Sequence, residues 1–320
     1  MRLMTQPTDA PAMPVRADRS RRGGFRALRL ALFLLAPALA LYALFVIAPL
    51  AQAVFYSVFR WNGLEPLTDV VGIANYQRLV TDSSFHRALL NNVSVIGVSL
   101  LVQLPFALWI ATLLNGNFRG RGLFRVVFFI PYVISEVVAA ILWKLLLAPQ
   151  TGQVNGFLDA IGMEGLTKSW LGEPSLVMWS VLVVVTWKFF GFYTVLFLAA
   201  LQAVPEEQLE AARLDGANRG KAFWYITLPS LGPTVRIAAF LAIVGSLQLF
   251  DLVWVMTAGG PVGASSTMVT YMVSSGIKSQ EFGYASAVAV TLAVISFLFA
   301  SVYQRAVLAR DNVESSGVAR

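Results

Sequence analysis

Glu210-Ala211-Ala212, then Gly216, then Ile226-Thr227-Leu228-Pro229 stand between two long apolar segments, and these residue types suit docking rather than catalysis. Pro205 fits a first helical position, and Glu206 and Glu207 fit the positive end of a helix dipole. Gly216 can take the left-handed conformation that ends such a helix near Asp215. A second short helix over 219–226 is expected to stop at Leu228-Pro229, because proline there has no N–H to donate. Ala211 and Ala212 keep one face thin, so the groove of another protein can approach the backbone, and Glu210 adds a charge that fixes register. Spacing alone leaves one alternative open, an amphipathic hairpin lying on a membrane.

A second group of polar residues sits where charge is costly. Glu136, Lys188 and Asp251, with Gln248 one turn from Asp251, interrupt stretches that are otherwise apolar. A charge inside a bilayer costs a few kcal/mol, so each should face the bundle interior, a cavity or a partner charge. Lys188 is expected to pair with Glu136 or with Asp251. Trp187 and Tyr193 flank Lys188 and, with these charges, suit a cavity that offers hydrogen bonds to hydroxyls and aromatic faces to C–H groups. Lys144 is expected to reach toward headgroups. Enzymatic chemistry is poorly provided for. The chain has no cysteine, His86 is its lone histidine and reads as a surface residue, no Walker-type loop occurs, and no metal-ligand set is visible.

The elements that position these residues follow from composition. Hydrophobic residues make up 57% and charged residues 13%, with mean hydropathy +0.69, whereas a soluble domain carries about a quarter charged residues. Apolar stretches near 28–54, 92–114, 123–147, 176–201, 235–256 and 284–308 each suffice for a helix across a hydrocarbon core, which takes ~20 residues. The predicted fold is therefore an all-α membrane protein with six transmembrane helices. Basic residues cluster on one side: Arg2, Arg16, Arg19, Arg21, Arg22, Arg26 and Arg29 in the tail, Arg119, Arg121 and Arg125, then Arg213, Arg219, Lys221 and Arg236, then Arg305, Arg310 and Arg320. That side, with both termini and the Glu-Ala-Ala loop, is expected to be cytoplasmic. The net charge of +7 is explained by this asymmetry and gives no reason to expect nucleic acid. Residues 1–27 read as a disordered basic tail, 28–310 as the membrane domain with a loop at 202–234, and 311–320 as a second tail. Gly152, Asn155 and Gly156 are turn-formers that fold the loop after the third span back on the bundle.

Taken together, the loop motif resembles that of permease subunits of binding-protein-dependent ABC importers. Phe250-Asp251 with Val255-Met256-Thr257-Ala258-Gly259-Gly260-Pro261 resembles the carbohydrate branch of these permeases, as do Phe282-Gly283-Tyr284-Ala285-Ser286-Ala287, Val71-Gly72 and Asn75-Tyr76. The resemblance spans roughly residues 30–308. It implies a type I importer fold in a bacterial inner membrane, carrying a sugar or related polyol. It also implies a second, non-identical permease, an extracytoplasmic solute-binding protein, and two ATPase subunits that hold ATP and Mg while this chain binds no cofactor. By the same resemblance Glu210, Ala211, Ala212 and Gly216 contact the ATPase, while Ile226, Leu228 and Pro229 shape the return to the membrane. Glycerol phosphate is an alternative cargo, although anionic substrates usually recruit arginines. An ion-coupled secondary transporter is a further alternative; such proteins normally show inverted repeats and broken spans, and no internal symmetry is visible.

Overall fold

The computed structural model describes residues 33–308, and the tails expected at 1–27 and 311–320 lie outside them. In lipid every backbone polar group must be paired within the protein, and helices do this within one segment. The chain divides between Gln52 and Ala53. The first unit's described part, 33–52, lies wholly within α1 (Phe33–Tyr56), which is apolar on all sides and exposed.

The second unit holds the other elements. They are α2 (Ala74–Thr81), α3 (Ser83–Leu114), α4 (Arg121–Val133), α5 (Glu136–Leu146), α6 (Gln153–Ala160), α7 (Val177–Gln202) and α8 (Glu206–Leu214). They continue with α9 (Arg219–Ser230), α10 (Gly232–Leu247), α11 (Asp251–Thr257), α12 (Met268–Val273) and α13 (Phe282–Val307). Among the described residues four helices, α1, α3, α7 and α13, are long and apolar enough to cross a membrane, and the bent pairs α4–α5 and α9–α10 bring the number to six.

Two expected spans are not continuous. The third bends by 95° between α4 and α5. The fifth, expected over 235–256, stops at Leu247 and resumes at Asp251 as α11. Breaks within spans are thus present here and do not by themselves mark an ion-coupled transporter. The second span also starts earlier than expected, because the polar run from Ser83 joins it as one helix. The Asp82 carboxylate accepts the N–H of Ser84 at 2.8 Å and of Phe85 at 3.4 Å, capping that start.

Three of the five wide turns among the described residues have a common cause. Ala43–Ile47, Ser99–Gln103 and Phe223–Thr227 are each five residues wound more loosely than an α-helix. The N–H of Ala48, Leu104 and Leu228 accordingly bonds the carbonyl five residues back. The next residue is a proline each time: Pro49, Pro105 and Pro229. A proline removes one bond from the helical ladder and collides with the carbonyl four residues earlier, and a looped-out turn opens the ladder at that point. This is why α9 does not stop at Leu228-Pro229 as expected but runs to Ser230 before bending by 63° into α10.

The centre of the second unit is α7, in which 61% of the apolar window is buried against 33% for α3 and 17% for α13. One cluster joins Val95 of α3, Ala139 and Ala140 of α5, Val181 and Val184 of α7, and Leu252 and Val253 of α11. Another joins Ala107 and Ala111 of α3, Phe197 and Leu201 of α7, and Ala238 and Ala242 of α10. Small residues let helix backbones approach closely where lipid supplies no hydrophobic drive. The extreme case is Gly191, where a Cβ would lie 2.0 Å from the carbonyl oxygen of Phe128.

Candidate functional site

A cavity of about 370 Å³ opens where the two broken spans face α3 and α7. Its polar wall includes Glu136 at the start of α5, Gln248 in the break of the fifth span, and Asp251 at the start of α11. Tyr193 of α7 and Gln103 of α3 also border it. The breaks place these groups: had the spans been continuous helices, the chain would not turn at 134–135 and 248–250. Aromatic rings complete the wall, with Tyr132 stacked on Phe192 at 4.9 Å between centroids.

Lys188 and Trp187 are not among the lining residues. The Lys188 ammonium donates to the carbonyl oxygens of Pro131 at 3.0 Å, Tyr132 at 2.7 Å and Ile134 at 2.7 Å. Among the described residues it forms no ion pair with Glu136 or Asp251, which corrects the expected pairing. The physical reason lies in the 95° break. A helix end leaves carbonyls without partners, and inside a bilayer no bulk water satisfies them. A three-donor ammonium does so at one point. Trp187 instead packs edge-on against Trp143, with ring centroids 5.4 Å apart, beside the core of α5 and α7.

The second break is held by neutral groups. The Asn92 amide donates to the Ser246 carbonyl at 2.7 Å and its oxygen accepts the Met268 N–H at 2.8 Å. The Thr267 hydroxyl donates to the Leu249 carbonyl at 2.8 Å. Asn92 and Gln103 are polar residues in an otherwise apolar stretch, the same signal that marks Glu136, yet the sequence reading did not single them out.

The Glu-Ala-Ala segment forms a compact hairpin of α8 and α9. Pro205 caps α8 rather than opening it. Gly216 has φ +81°, its N–H bonds the Arg213 carbonyl at 3.1 Å, and the Ala217 N–H bonds the Ala212 carbonyl at 2.9 Å. This pair of bonds closes a helix on a left-handed residue. Asn218 then caps α9 by accepting the Lys221 N–H at 2.9 Å. Glu210 and Ala211 are exposed while Ala212 is buried, so only one alanine lies on the outer face. Leu214, Trp224 and Tyr225 are also exposed there. Ile226 and Leu228 are half-buried, and Pro229 is exposed. Through the bend at Leu231 this hairpin is continuous with α10, whose far end, Gly245 to Gln248, lines the cavity.

At the opposite end of the spans the loops are tied down. Asn75 donates to the carbonyls of Ser57 at 2.8 Å and Phe59 at 2.9 Å, and the Gly283 N–H bonds the Trp61 carbonyl at 3.0 Å. Asn155 donates to the carbonyls of Pro149 and Lys168, both at 3.0 Å, and accepts from the Trp170 indole at 2.7 Å. Asp82 accepts the hydroxyls of Tyr271 and of Tyr284, the latter at 2.6 Å. Burial alone would push the Asp82 carboxyl up; the two tyrosine bonds and the two backbone bonds outweigh it and hold it below the usual carboxylate value. In the Thr257–Pro261 segment, Ala258 and Gly259 take positive φ of 52° and 83°. Asn91 fastens the following loop through the carbonyls of Ala264 at 3.0 Å and Ser266 at 2.9 Å. Among the described residues no three acidic, histidine or cysteine side chains gather to hold a metal ion.

Residues 103–310 match the model of the family described as binding-protein-dependent transport system inner membrane component. The chain is 36% identical over 264 residues to the probable ABC transporter permease protein YurN of Bacillus subtilis, covering 82% of this chain and 90% of that one. It is 33% identical over 305 residues to the diacetylchitobiose uptake system permease protein NgcF of Streptomyces coelicolor, covering 91% and 86%. A chain in the crystal structure of a bacterial ABC transporter involved in the import of the acidic polysaccharide alginate superposes with a TM-score of 0.77 at 25% identity, covering 91% of this chain and 99% of that one.

Proposed function

The chain belongs to the family of binding-protein-dependent transport system inner membrane components, and on that premise we propose that it is the permease subunit of an ATP-driven importer moving a sugar or related polyol across a bacterial inner membrane. Membership sets the ion-coupled alternative aside, and the diacetylchitobiose permease among its relatives favours saccharide over glycerol phosphate. In this reading the chain works beside a second, non-identical permease, receives cargo from an extracytoplasmic binding protein, and has both termini in the cytoplasm. Two ATPase subunits supply ATP and Mg chemistry, and this chain supplies the path.

The observation that carries the reading is the continuity from the hairpin to the cavity. Glu210, Ala211 and the exposed apolar side chains Leu214, Trp224 and Tyr225 offer a docking face, while buried Ala212 and the left-handed turn at Gly216 set its shape. Ile226, Leu228 and Pro229 lie on the helix that delivers a displacement of that face through the Leu231 bend to α10. There Gln248, next to Glu136, Asp251 and Tyr193, borders the cavity through which the cargo passes. Lys188 and Trp187 support that wall from behind. Closing of the ATPase pair would draw the hairpins together and open the cavity outward; hydrolysis would reset it.

The test is mild-detergent isolation of the tagged chain with identification of what co-purifies. An ATPase and a second permease are expected. Isolation of the folded, full-length chain alone would overturn the reading. The coupling role is checked by Gly216→Asp, which is expected to leave the subunits assembled but abolish ATP hydrolysis stimulated by the binding protein.

A further inference from the structure

We propose that the arginine-rich end of α4 is a seat for one anionic phospholipid: Arg119, Arg121 and Arg125 hold the headgroup phosphate, and the apolar side of α4 beside them receives an acyl chain. Such a seat is independent of the cargo that the permease carries.

The charge at this end of the helix has no counterweight within the chain. From Ser83 to Ser135 there is no Asp or Glu, and among the described residues none of the three arginines forms an ion pair. Arg121 reaches only the amide oxygen of Asn117, at 3.3 Å. Arg121 and Arg125 stand one turn apart on α4, so their side chains share a face. The helix dipole is also positive at this end, which makes basic residues unfavourable there.

Arg125 bears the larger cost. It is half-buried, and its Nε is shut away from solvent with no hydrogen-bond partner, whereas its two terminal nitrogens are not shut in. A guanidinium partly stripped of water needs a counter-charge from outside the chain. The fork of a guanidinium matches the paired oxygens of a phosphate.

The neighbouring surface says where that phosphate comes from. Leu123, Val126, Val127 and Ile130 are exposed on α4. The rings of Phe118 and Phe124, exposed as well, stand 5.9 Å apart beside the arginines in the chain. A free phosphate gains nothing from an apolar wall, while a phospholipid has a part for each half of the site. Basic residues at a membrane face attract anionic lipid in general. A built seat differs in that it depends on these three arginines and not on others of the same side.

The experiment uses the assembled complex, purified with its ATPase in mild detergent and washed of lipid. The probes are a phosphatidylglycerol, the phosphatidylcholine with the same chains, and inorganic phosphate. Native mass spectrometry reads the bound lipid, and melting temperature with co-purification confirms assembly. Phosphatidylglycerol is expected to be retained at about tenfold or more lower concentration than phosphatidylcholine, the gain of charge-assisted bonds, and not to be displaced by an equal concentration of inorganic phosphate. Replacing all three arginines by glutamine should bring the two lipids to equal retention. Arg125→Gln alone, a milder change for assembly, should lower the preference roughly threefold. Arg305→Gln, on the same expected side, should leave it unchanged. Equal retention of the two lipids by the unaltered complex overturns the proposal. So does a preference that survives the triple substitution or falls as far with Arg305→Gln. Displacement by inorganic phosphate marks an ion site without a place for a chain and overturns it too. The transport reading stands in each case.

Discussion

Replacing Lys188 by methionine removes the ammonium while leaving an unbranched chain of similar length, and the structure sets the size of the effect. Three charge-assisted hydrogen bonds, at 2.7, 2.7 and 3.0 Å, are lost. At about 1.5–3 kcal/mol each, they sum to about 5–9 kcal/mol. Against this, the variant no longer carries a charge inside the bilayer, a relief of about 3 kcal/mol on insertion scales. The net expectation is a destabilisation of about 2–6 kcal/mol. The low end agrees with a separate estimate: neutral side-chain bonds within membranes average ~0.6 kcal/mol, and three of them give about 2 kcal/mol. The orphaned carbonyls belong to the bend that sets Glu136 at the cavity, so transport should fall together with stability. The assay is denaturant or thermal unfolding of the purified complex alongside uptake in proteoliposomes. Lys188→Gln, which restores two donors without charge, is expected to recover part of the stability. A Lys188→Met complex that melts and transports like the original would refute the argument that the lysine holds the break.

The remaining expectations concern other elements. Gly191→Ala would place a methyl group 2.0 Å from the Phe128 carbonyl; overpacking of this kind costs roughly 1–3 kcal/mol or more, readable as a lowered melting temperature. Gly216→Ala forces a side chain into a left-handed residue with φ +81°, at about 1–2 kcal/mol; stimulated ATP hydrolysis should drop while the subunits still co-purify. Asp82 is held below its ordinary value, so its stabilisation is complete above about pH 4 and is lost as pH falls from there through the lowered value. Asp82→Asn should therefore lower stability at neutral pH and flatten the acid limb of a stability-against-pH curve.

The membrane class, the hairpin and the turn at Gly216 could be read from the chain because their signals are local: apolar length and a helix-ending glycine. The breaks were less legible. At 248–250 the chain carries Gln-Leu-Phe, none of them a turn-former, and the helix ends there because Asn92 and Thr267, distant in sequence, take its carbonyls. The other break follows Pro131, yet the third span is expected as one helix over 123–147, and the residue that satisfies the break, Lys188, lies 57 positions later. A lysine in an apolar segment suggests a carboxylate partner, and only the three-dimensional arrangement shows a cluster of carbonyls in its place. Gln103 was passed over because one amide among apolar residues carries little weight until the cavity it borders is seen.

The wide turn at Ser99–Gln103 has a consequence for helical phase. Before it, the buried positions of α3 are Phe85, Ala88, Asn92, Val95 and Ser99, stepping by three and four. Continued unaltered, that rhythm would bury Val102, Phe106, Trp109 and Leu113, yet all four are exposed. Beyond the turn Gln103, Ala107, Ile110 and Leu114 are buried instead, each one place later, with Leu104 and Ala111 beside them on the same face. One looped-out residue rotates everything beyond it by about 100°, and this is what brings Gln103 round to the cavity and sends Trp109 outward. Deleting a single residue from this turn, with Pro105→Ala so that the proline no longer opens the ladder, would restore a regular helix and rotate the part of α3 beyond it back by the same angle. A deletion there should change which side chains meet α7 without shortening the span by more than about 1.5 Å.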